Sequence, residues 1–253
     1  MTVEKSEHGL SSGATGDAAI VRQVLRESTA ATLATTDVAT GTAYASLIQI
    51  ATMPDATPIV LISGLARHTR NLTADSRASL LVDRRGQRGD IMTQSRATLI
   101  GRAHIVVNPC ARTRFQRRHP TAASYADFAD FAFWSLDIAV AHSIAGFGRI
   151  REIAGGDVRL AASPPDGAGQ AAPVALTDAA EAMLLADCER ELLRLGLQAR
   201  GWRAAGVDAE GLDLAQSGVL HRFAIEPWAR TTAELQARIR PIVIALVVGH
   251  GPL

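Results

Sequence analysis

Several residue types and patterns are scarce in this sequence, and each scarcity excludes a class of protein. The two cysteines, Cys110 and Cys188, stand far apart without a Cys-x-x-Cys spacing, which excludes a disulfide framework and favours reduced thiols. The longest apolar run, residues 242–248, is far too short to span a bilayer. The net charge is only +1, so no overall field favours nucleic acid or a membrane surface. We therefore expect a cytoplasmic protein that binds neither of them.

The beginning of the chain also lacks the apolar core of a signal peptide. Residues 1–16 are polar and rich in glycine and serine, and we expect them to be disordered. The composition is that of an ordinary globular protein, with 47% hydrophobic and 20% charged residues in a chain of 253. That length predicts one or two domains with a sizeable core.

Short strands dominate residues 17–155. A helix is predicted from Asp17, as its N-cap, to Glu27, and a second helical stretch covers residues 109–130 with a break at Pro120. The apolar face of the first helix is made of Ile20, Val21, Val24 and Leu25. Strands are predicted at residues 31–36, 42–51, 58–63, 78–82, 93–107, 131–141 and 144–153. Many strands with brief helices between them predict an antiparallel barrel rather than a parallel doubly wound sheet.

The composition changes after Ala154. Residues 156–173 are predicted to be a linker, because their central part is rich in proline, glycine and alanine. Residues 174–253 follow an α-β-β-β-α pattern, so the chain is predicted to be a two-domain α+β protein. In this second domain Thr177 caps a helix over 178–195, strands cover 202–207, 211–214 and 218–224, and Thr231 or Thr232 caps the final helix. The buried side of the first of these helices is predicted to hold Ala182, Leu185, Cys188 and Leu192.

A polar, cation-rich stretch lies between two of the predicted strands. It contains Arg67, His68, Thr69, Arg70 and Asn71. Guanidinium and hydroxyl donors match the oxygens of phosphate and carboxylate groups, so the stretch suits a small anionic ligand. The alternative is a helix start with solvated arginines, in which Thr69 serves the helix N-terminus.

Short motifs occur along the chain in a characteristic order. They are Ala31-Thr-Leu-Ala-Thr35, Tyr44-Ala-Ser46, Leu65-Ala-Arg-His-Thr-Arg-Asn-Leu72, Arg77-Ala-Ser-Leu-Leu81 and Ala145-Gly-Phe-Gly-Arg-Ile150. This order resembles the FMN-binding split-barrel proteins related to pyridoxamine 5′-phosphate oxidase. More narrowly, it is similar to the branch associated with haem utilisation and haem degradation, whose small second domain resembles Gly206-Val-Asp-Ala-Glu-Gly-Leu-Asp213. The resemblance implies a six-stranded split barrel that forms a homodimer, with flavin or haem in grooves at the dimer interface.

Departures from the family pattern bear on the cofactor. In the oxidases, an arginine and a lysine on one strand and an Arg-Lys pair in the following loop hold the FMN phosphate. That pair falls on Arg67 and His68, and the earlier strand, residues 44–49, carries no cation. Each charge-assisted hydrogen bond to phosphate contributes about 1.5–3 kcal/mol, so we expect weak FMN binding even if Ser46 and Arg70 compensate in part. In the second domain, Ala179 stands where the branch commonly has a histidine.

The resemblance and the cationic stretch together give a set of candidate site residues. The candidates for cofactor binding are Ser46, Ser63, Arg67, His68, Thr69, Arg70, Asn71 and Arg149. Haem would also need an axial ligand to its iron, for which the candidates are His68, His142 and His250. For the last two, an ordinary strand-end histidine and a disordered terminal histidine are the simpler interpretations.

Three functions are compatible with these residues. The first is a haem-binding protein, with or without haem-degrading activity, in which Arg67 and Arg70 pair with the propionates. The second is an FMN-dependent oxidoreductase, and the third is a non-catalytic regulatory dimer that has lost its cofactor. Two other motifs are assigned no such role. Residues 146–151 lack the third glycine and the helix of a dinucleotide site, and the basic run 112–119 is expected to be a solvated helix face.

Overall fold

The first half of the protein is a curled antiparallel sheet with helices packed on it. The computed structural model describes residues 13–83, 90–145, 149–160 and 173–247. Up to residue 160 the elements are α1 (Gly13–Glu27), β1 (Ala30–Thr36), β2 (Ala43–Gln49), β3 (Ala51–Thr52), β4 (Pro58–Ser63), α2 (Arg67–Ala74), β5 (Arg77–Asp83), β6 (Arg96–Ile105), α3 (Pro109–Arg118), β7 (Phe131–Ile144), β8 (Ile150–Ala154) and α4 (Gly155–Val158). The strand order is β2-β1-β5-β6-β7-β4-β3, and β8 pairs with β7.

Buried and more exposed residues alternate along the strands, so one face of the sheet is buried. On β1, Ala31 and Leu33 are buried while their neighbours are partly exposed, and β5 buries Ala78, Leu80 and Val82 in the same way. Helix α1 closes this core with the apolar face predicted for it, in which Val21, Val24 and Leu25 are buried and Ile20 is partly buried. The prediction of a split-barrel-like antiparallel sheet in an α+β protein is confirmed, with eight strands once the two-residue β3 is counted.

The start of α1 differs from the prediction. Asp17 was expected to be the N-cap, but α1 begins at Gly13 and Asp17 is a buried residue inside the helix. Its carboxylate binds Arg149 at 3.0 Å and Arg151 at 3.4 Å. The side chain therefore pairs with arginines beside β8 instead of capping the helix.

The second domain is a three-stranded sheet with two helices. Its elements are α5 (Asp178–Arg194), β9 (Trp202–Asp208), β10 (Gly211–Gln216), β11 (Val219–Ala224) and α6 (Thr232–Ala245), and the strand order is β11-β10-β9. Thr177 caps α5 as predicted, since its Oγ1 accepts a hydrogen bond from the Ala180 amide at 3.2 Å. The prediction for Ala182 was wrong, because Ala182 is exposed and Glu181 is buried beside it. Residues 161–172 of the predicted linker lie outside the described residues.

Buried ion pairs join the two domains. We call the alternating series Arg22–Glu210–Arg26–Asp208–Arg222–Asp213–Arg118 the interdomain ion chain. Arg222 lies 2.8 Å from Asp208 and 3.0 Å from Asp213, and Arg118 lies 3.4 Å from Asp213. Arg26 contacts both Asp208 and Glu210. A further buried pair, Arg114–Glu181 at 2.6 Å, links α3 to α5.

The expectation of a solvated basic face on α3 is therefore wrong. Arg114, Arg118 and His119 are each less than 10% exposed. The two arginines are buried because carboxylates of the second domain face them, and His119 Nε2 donates a hydrogen bond to the Ile50 carbonyl at 2.8 Å. Both cysteines are buried free thiols, and burial raises the pKa of each to about 12. Among the helices of the described residues, none is long and apolar enough to cross a membrane.

Candidate functional site

Helix α2 begins where the chain leaves β4, and it packs against β1 and β2. Its N-cap is Ala66, which makes no side-chain cap bond. Thr69 does not serve the helix N-terminus, because its hydroxyl instead donates to the carbonyl of Ser63 at 2.6 Å. This bond fastens the first turn of α2 to the end of β4.

We call the β4–α2 junction and the part of β2 that it contacts, residues 63–71 and 44–46, the mouth. Two more of the predicted site residues hold the mouth together. Asn71 is buried, donates to Thr35 Oγ1 at 3.0 Å and accepts from the Val38 amide at 3.2 Å. Ser63 Oγ donates to Asp130 at 2.5 Å and accepts from the Leu65 amide at 3.1 Å. The polar groups of Ser63, Thr69 and Asn71 thus form hydrogen bonds within the protein. These three residues shape the mouth and do not face into it.

Arg67 is held on one edge and open on the other. Its Nε donates to Asp37 Oδ2 at 2.5 Å, and its guanidinium carbon lies 5.2 Å from the centre of the Tyr44 ring. The hydrogen bond from Arg67 lowers the pKa of Asp37 to about 2, so this carboxylate is ionised at neutral pH. The Arg67 side chain is 50% exposed, and within the described residues its two Nη groups have no partner. A fork fixed in this way presents two donors to an incoming anion.

His68 lies beside Arg67 with its ring half-buried. Its Nδ1 is 3.0 Å from Ser46 Oγ on β2, a hydrogen bond that fixes the ring orientation. Burial lowers the pKa of His68, so the imidazole is neutral at pH 7. Its Nε2 is covered by protein atoms and has no hydrogen-bond partner in the described part of the chain. One turn further, Arg70 is exposed, and no described residue pairs with its guanidinium.

The remaining predicted residues lie elsewhere in the chain. Arg149 pairs with Asp17 next to β8, and His142 Nε2 is 3.2 Å from a carboxylate oxygen of Glu152 on β8. Ser63 of the mouth pairs with Phe131 at one end of β7, whereas His142 pairs with Glu152 of β8 near the other end, so a single chain does not bring these residues to the mouth. His250 lies outside the described residues.

The sequence analysis missed the two residues that position Arg67. Asp37, which follows the first predicted strand, was given no role, and Tyr44 appeared only in a family motif. The sequence did contain one indication, because Asp37 is an acidic residue directly after a predicted strand. In the structure the turn that it opens faces α2. The structure therefore reduces the candidate site to Ser46, Arg67, His68 and Arg70, supported by Asp37 and Tyr44.

The chemistry of this site does not match an FMN phosphate well. Arg67 already shares its charge with Asp37, and His68 is neutral, so a phosphate dianion would meet one unpaired cation, Arg70, among the described residues. Haem is a better match, because each propionate carries one negative charge and a neutral imidazole is the form that binds iron. No group of three or more His, Cys, Asp or Glu side chains that could hold a metal ion occurs in the described residues.

Comparison with known proteins places the first domain in a family. The sequence model of the family "Pyridoxamine 5′-phosphate oxidase" matches residues 19–145, which is half of the chain and includes the whole mouth. This chain belongs to the pyridoxamine 5′-phosphate oxidase family. The resemblance stated from the motifs is thereby confirmed for the first domain.

Individual relatives extend this comparison. The protein named "Non-canonical heme oxygenase HOZ, chloroplastic" from Arabidopsis thaliana is 33% identical over 104 residues, which cover 40% of this chain and 31% of that protein. The match thus spans less than a third of the relative's length. A solved structure of a protein of unknown function from Agrobacterium tumefaciens is 26% identical with a TM-score of 0.65, covering 88% of this chain and 94% of that one.

A third comparison concerns the fold alone. A structure named as a haem-binding protein from Mycobacterium smegmatis has a TM-score of 0.54 at 23% identity, covering 93% of this chain and 99% of that one. At this identity the likeness shows a shared fold. Because the coverage includes both domains, the appended α-β domain recurs together with the curled sheet.

Proposed function

We propose that this protein binds haem at the mouth formed by β2 and α2, and that it acts in haem degradation. The observation that carries the proposal is the state of His68. A neutral imidazole, oriented through Nδ1 by Ser46 and left without a partner at Nε2, has the arrangement of a histidine that ligates a metal. Since protein atoms cover Nε2, coordination requires the atoms over Nε2 to move aside while the Ser46 hydrogen bond to Nδ1 is kept.

The neighbouring side chains support the same ligand. Arg67 and Arg70 supply charge-assisted donors for the two propionates, and Arg67 is preorganised by Asp37. Leu65, 78% exposed just before α2, offers apolar surface for the macrocycle. Bound haem would supply the iron redox chemistry, whereas these residues would hold and orient it. The similarity to a relative named as a haem oxygenase agrees with this assignment.

Membership in the oxidase family favours FMN as a second candidate. The phosphate would have to be held by Arg70, Arg67 and the Ser46 hydroxyl. We place FMN behind haem because, among the described residues, Arg70 is the one cation of the site without an acidic partner, whereas a phosphate dianion carries two charges. A dimer that binds neither cofactor is the remaining alternative.

We also propose that two copies associate through the outer face of the sheet. Leu47 on β2 and Leu81 on β5 both flank Thr32 of β1, and Ile100 on β6 pairs with Ser79 two residues before Leu81. These three apolar side chains are 67%, 36% and 39% exposed, respectively. Apolar side chains that lie next to one another and are exposed on a sheet face favour burial against a partner. The mouth lies beside this face on β2, so a dimer would bring a second chain close to the cofactor.

Titration of the full-length protein with haemin tests the haem proposal. We expect a Soret band with binding in the micromolar range or tighter, weakened at least about tenfold in His68→Ala, with a changed Soret position. His142→Ala is the matched control, because this exposed histidine pairs with Glu152 away from the mouth and should bind haemin as the unchanged protein does. Arg70→Ala should weaken binding without moving the band, because a propionate contact does not touch iron.

The outcomes separate the three functions. Absence of any Soret change in the unchanged protein would refute haem binding. Flavin released from the purified protein on denaturation would favour FMN. If haemin binds but His68→Ala leaves the spectrum and affinity unchanged, the proposed site is wrong. Loss of the Soret band under oxygen with a reductant, and its persistence without the reductant, would support haem degradation.

A further inference from the structure

The interdomain ion chain carries an unbalanced charge. It contains four arginines, Arg22, Arg26, Arg118 and Arg222, and only three carboxylates, those of Asp208, Glu210 and Asp213. The adjoining pair Arg114–Glu181 adds no net charge. All four arginine side chains are 5% exposed or less. A buried positive charge without a counterion is costly, so this region favours an additional anion.

A cavity opens onto the middle of the interdomain ion chain. It has a volume of about 570 Å³ and lies between α1 and the end of β11. Its polar lining consists of the buried side chains of Arg26 and Arg222, of Glu210 and Gln23, and of Glu226, which is exposed. Ile225, Pro227 and Trp228 contribute an apolar side. The size is that of a site for a small organic molecule, and the mixed lining suits a ligand with one charged end and an apolar body.

The hydrogen bonding of the polar side shows which charge fits. Arg26 is buried, and its Nε has no hydrogen-bond partner within the described residues. Glu210 is compensated already, because Arg22 lies 2.8 Å and Arg26 3.1 Å from its carboxylate. Arg222 binds Asp208 and Asp213 through its two Nη groups, at 2.8 and 3.0 Å. Asp208 Oδ2 makes no hydrogen bond but contacts Arg26, and Glu226 is exposed to solvent. Among the buried side chains the surplus is therefore positive charge and N–H donors, which a carboxylate satisfies and a cation does not.

We propose that this cavity binds a small organic monocarboxylate whose apolar body packs on Pro227 and Trp228. The carboxylate would lie against Arg26 and Arg222 and neutralise the unbalanced charge of the ion chain. The second domain would then be a ligand-binding part of the protein and not only a cover for the barrel. This site is separate from the mouth at α2 and does not depend on haem binding.

Calorimetric titration of the full-length protein with benzoate, indole-3-acetate and 4-methylvalerate tests the proposal, each beside its neutral amide. We expect saturable binding of at least one acid in the millimolar range or tighter, and binding of its amide at least about tenfold weaker. Ala224→Phe should abolish this binding, because Ala224 is an exposed residue that lines the cavity, and a phenylalanine side chain there would fill part of it. Val219→Phe, at the exposed other end of β11, is the matched control and should bind as the unchanged protein does.

Three results would overturn the proposal. The first is the absence of saturable binding for all three acids. The second is equal affinity for an acid and its amide, which would show that the charge is not recognised. The third is unchanged binding in Ala224→Phe, which would place the ligand elsewhere. Quenching of the tryptophan fluorescence when the acid is added, and the absence of this quenching in Trp228→Phe, would confirm the location.

Discussion

Asp208 is the carboxylate on which the interdomain ion chain depends most. Its Oδ1 accepts from Arg222 at 2.8 Å and from the Glu210 amide at 2.9 Å, and its Oδ2 contacts Arg26. Burial alone would raise the pKa of Asp208, but the charges of Arg222 and Arg26 outweigh it and hold the pKa well below its usual range. The side chain is therefore ionised at every pH at which the protein is handled.

We expect Asp208→Asn to destabilise the protein by about 3 kcal/mol. Breaking a buried ion pair from one side costs about 3–5 kcal/mol, because the partner charge stays buried without compensation. The lower end applies here, since Arg26 keeps Glu210 at 3.1 Å and Arg222 keeps Asp213 at 3.0 Å. Asparagine preserves the shape and one acceptor, so the loss measures the charge and not a cavity.

Urea unfolding followed by circular dichroism and tryptophan fluorescence measures this loss. With a urea dependence of about 3 kcal/mol per molar, the midpoint should fall by about 1 M. The two signals should also separate, because the ion chain joins the domains and a two-domain protein need not unfold in one step. The control is Asp127→Asn, which removes a 2.5 Å contact with Arg112 between exposed side chains and should leave the midpoint nearly unchanged. Equal midpoints for the two variants would refute the reasoning.

Two further predictions concern His119 and the outer face of the sheet. Burial lowers the pKa of His119 from 6.5 to about 4, so its contribution to stability is present above about pH 6.5 and is lost as the pH falls toward 4. Between pH 7 and pH 5 this loss should be about 2 kcal/mol, and thermal unfolding of His119→Gln should show a correspondingly flatter pH dependence; an unchanged slope would contradict it. Leu81→Glu should convert the proposed dimer to monomer in light scattering after size exclusion, whereas Val219→Glu on the second domain should not, and a monomeric unchanged protein would refute the dimer.

The strands could be predicted because burial on this sheet alternates with period two. The bounds of β1 and β2 were predicted within one or two residues, and Gly41 adopts a positive φ in the turn between them. The start of α1 was misplaced because an acidic residue before an apolar run is a typical N-cap. Only tertiary contacts with Arg149 and Arg151 show that Asp17 is buried inside the helix.

The candidate site could be located from the sequence but not described. The residue types at 67–71 indicated an anion site, yet they did not show which side chains face the protein. That distinction depends on partners far along the chain, as when Asn71 binds Thr35 or Arg67 binds Asp37. Ser63, Thr69 and Asn71 have the same donors as a ligand-binding residue would have. Their internal bonds follow from how α2 packs on β1 and β4.

The ion chain shows where reasoning from single segments fails and what signal remains. Charged residues are seldom buried, so the arginines of α3 were assigned to solvent. The carboxylate that meets Arg118 lies 95 residues away, beyond the reach of any local pattern. Yet Arg114 and Arg118 stand four residues apart, as do Arg22 and Arg26, which places each pair on one helix face. The segment Gly206–Asp213 supplies three carboxylates to Arg22, Arg26 and Arg118, and the Val207 carbonyl to Arg114. At Gly211 a Cβ would lie 2.7 Å from the Phe223 carbonyl oxygen and 3.0 Å from the Arg222 guanidinium. Two paired arginine faces and one acidic, glycine-bearing segment are together the sequence signature of this docking.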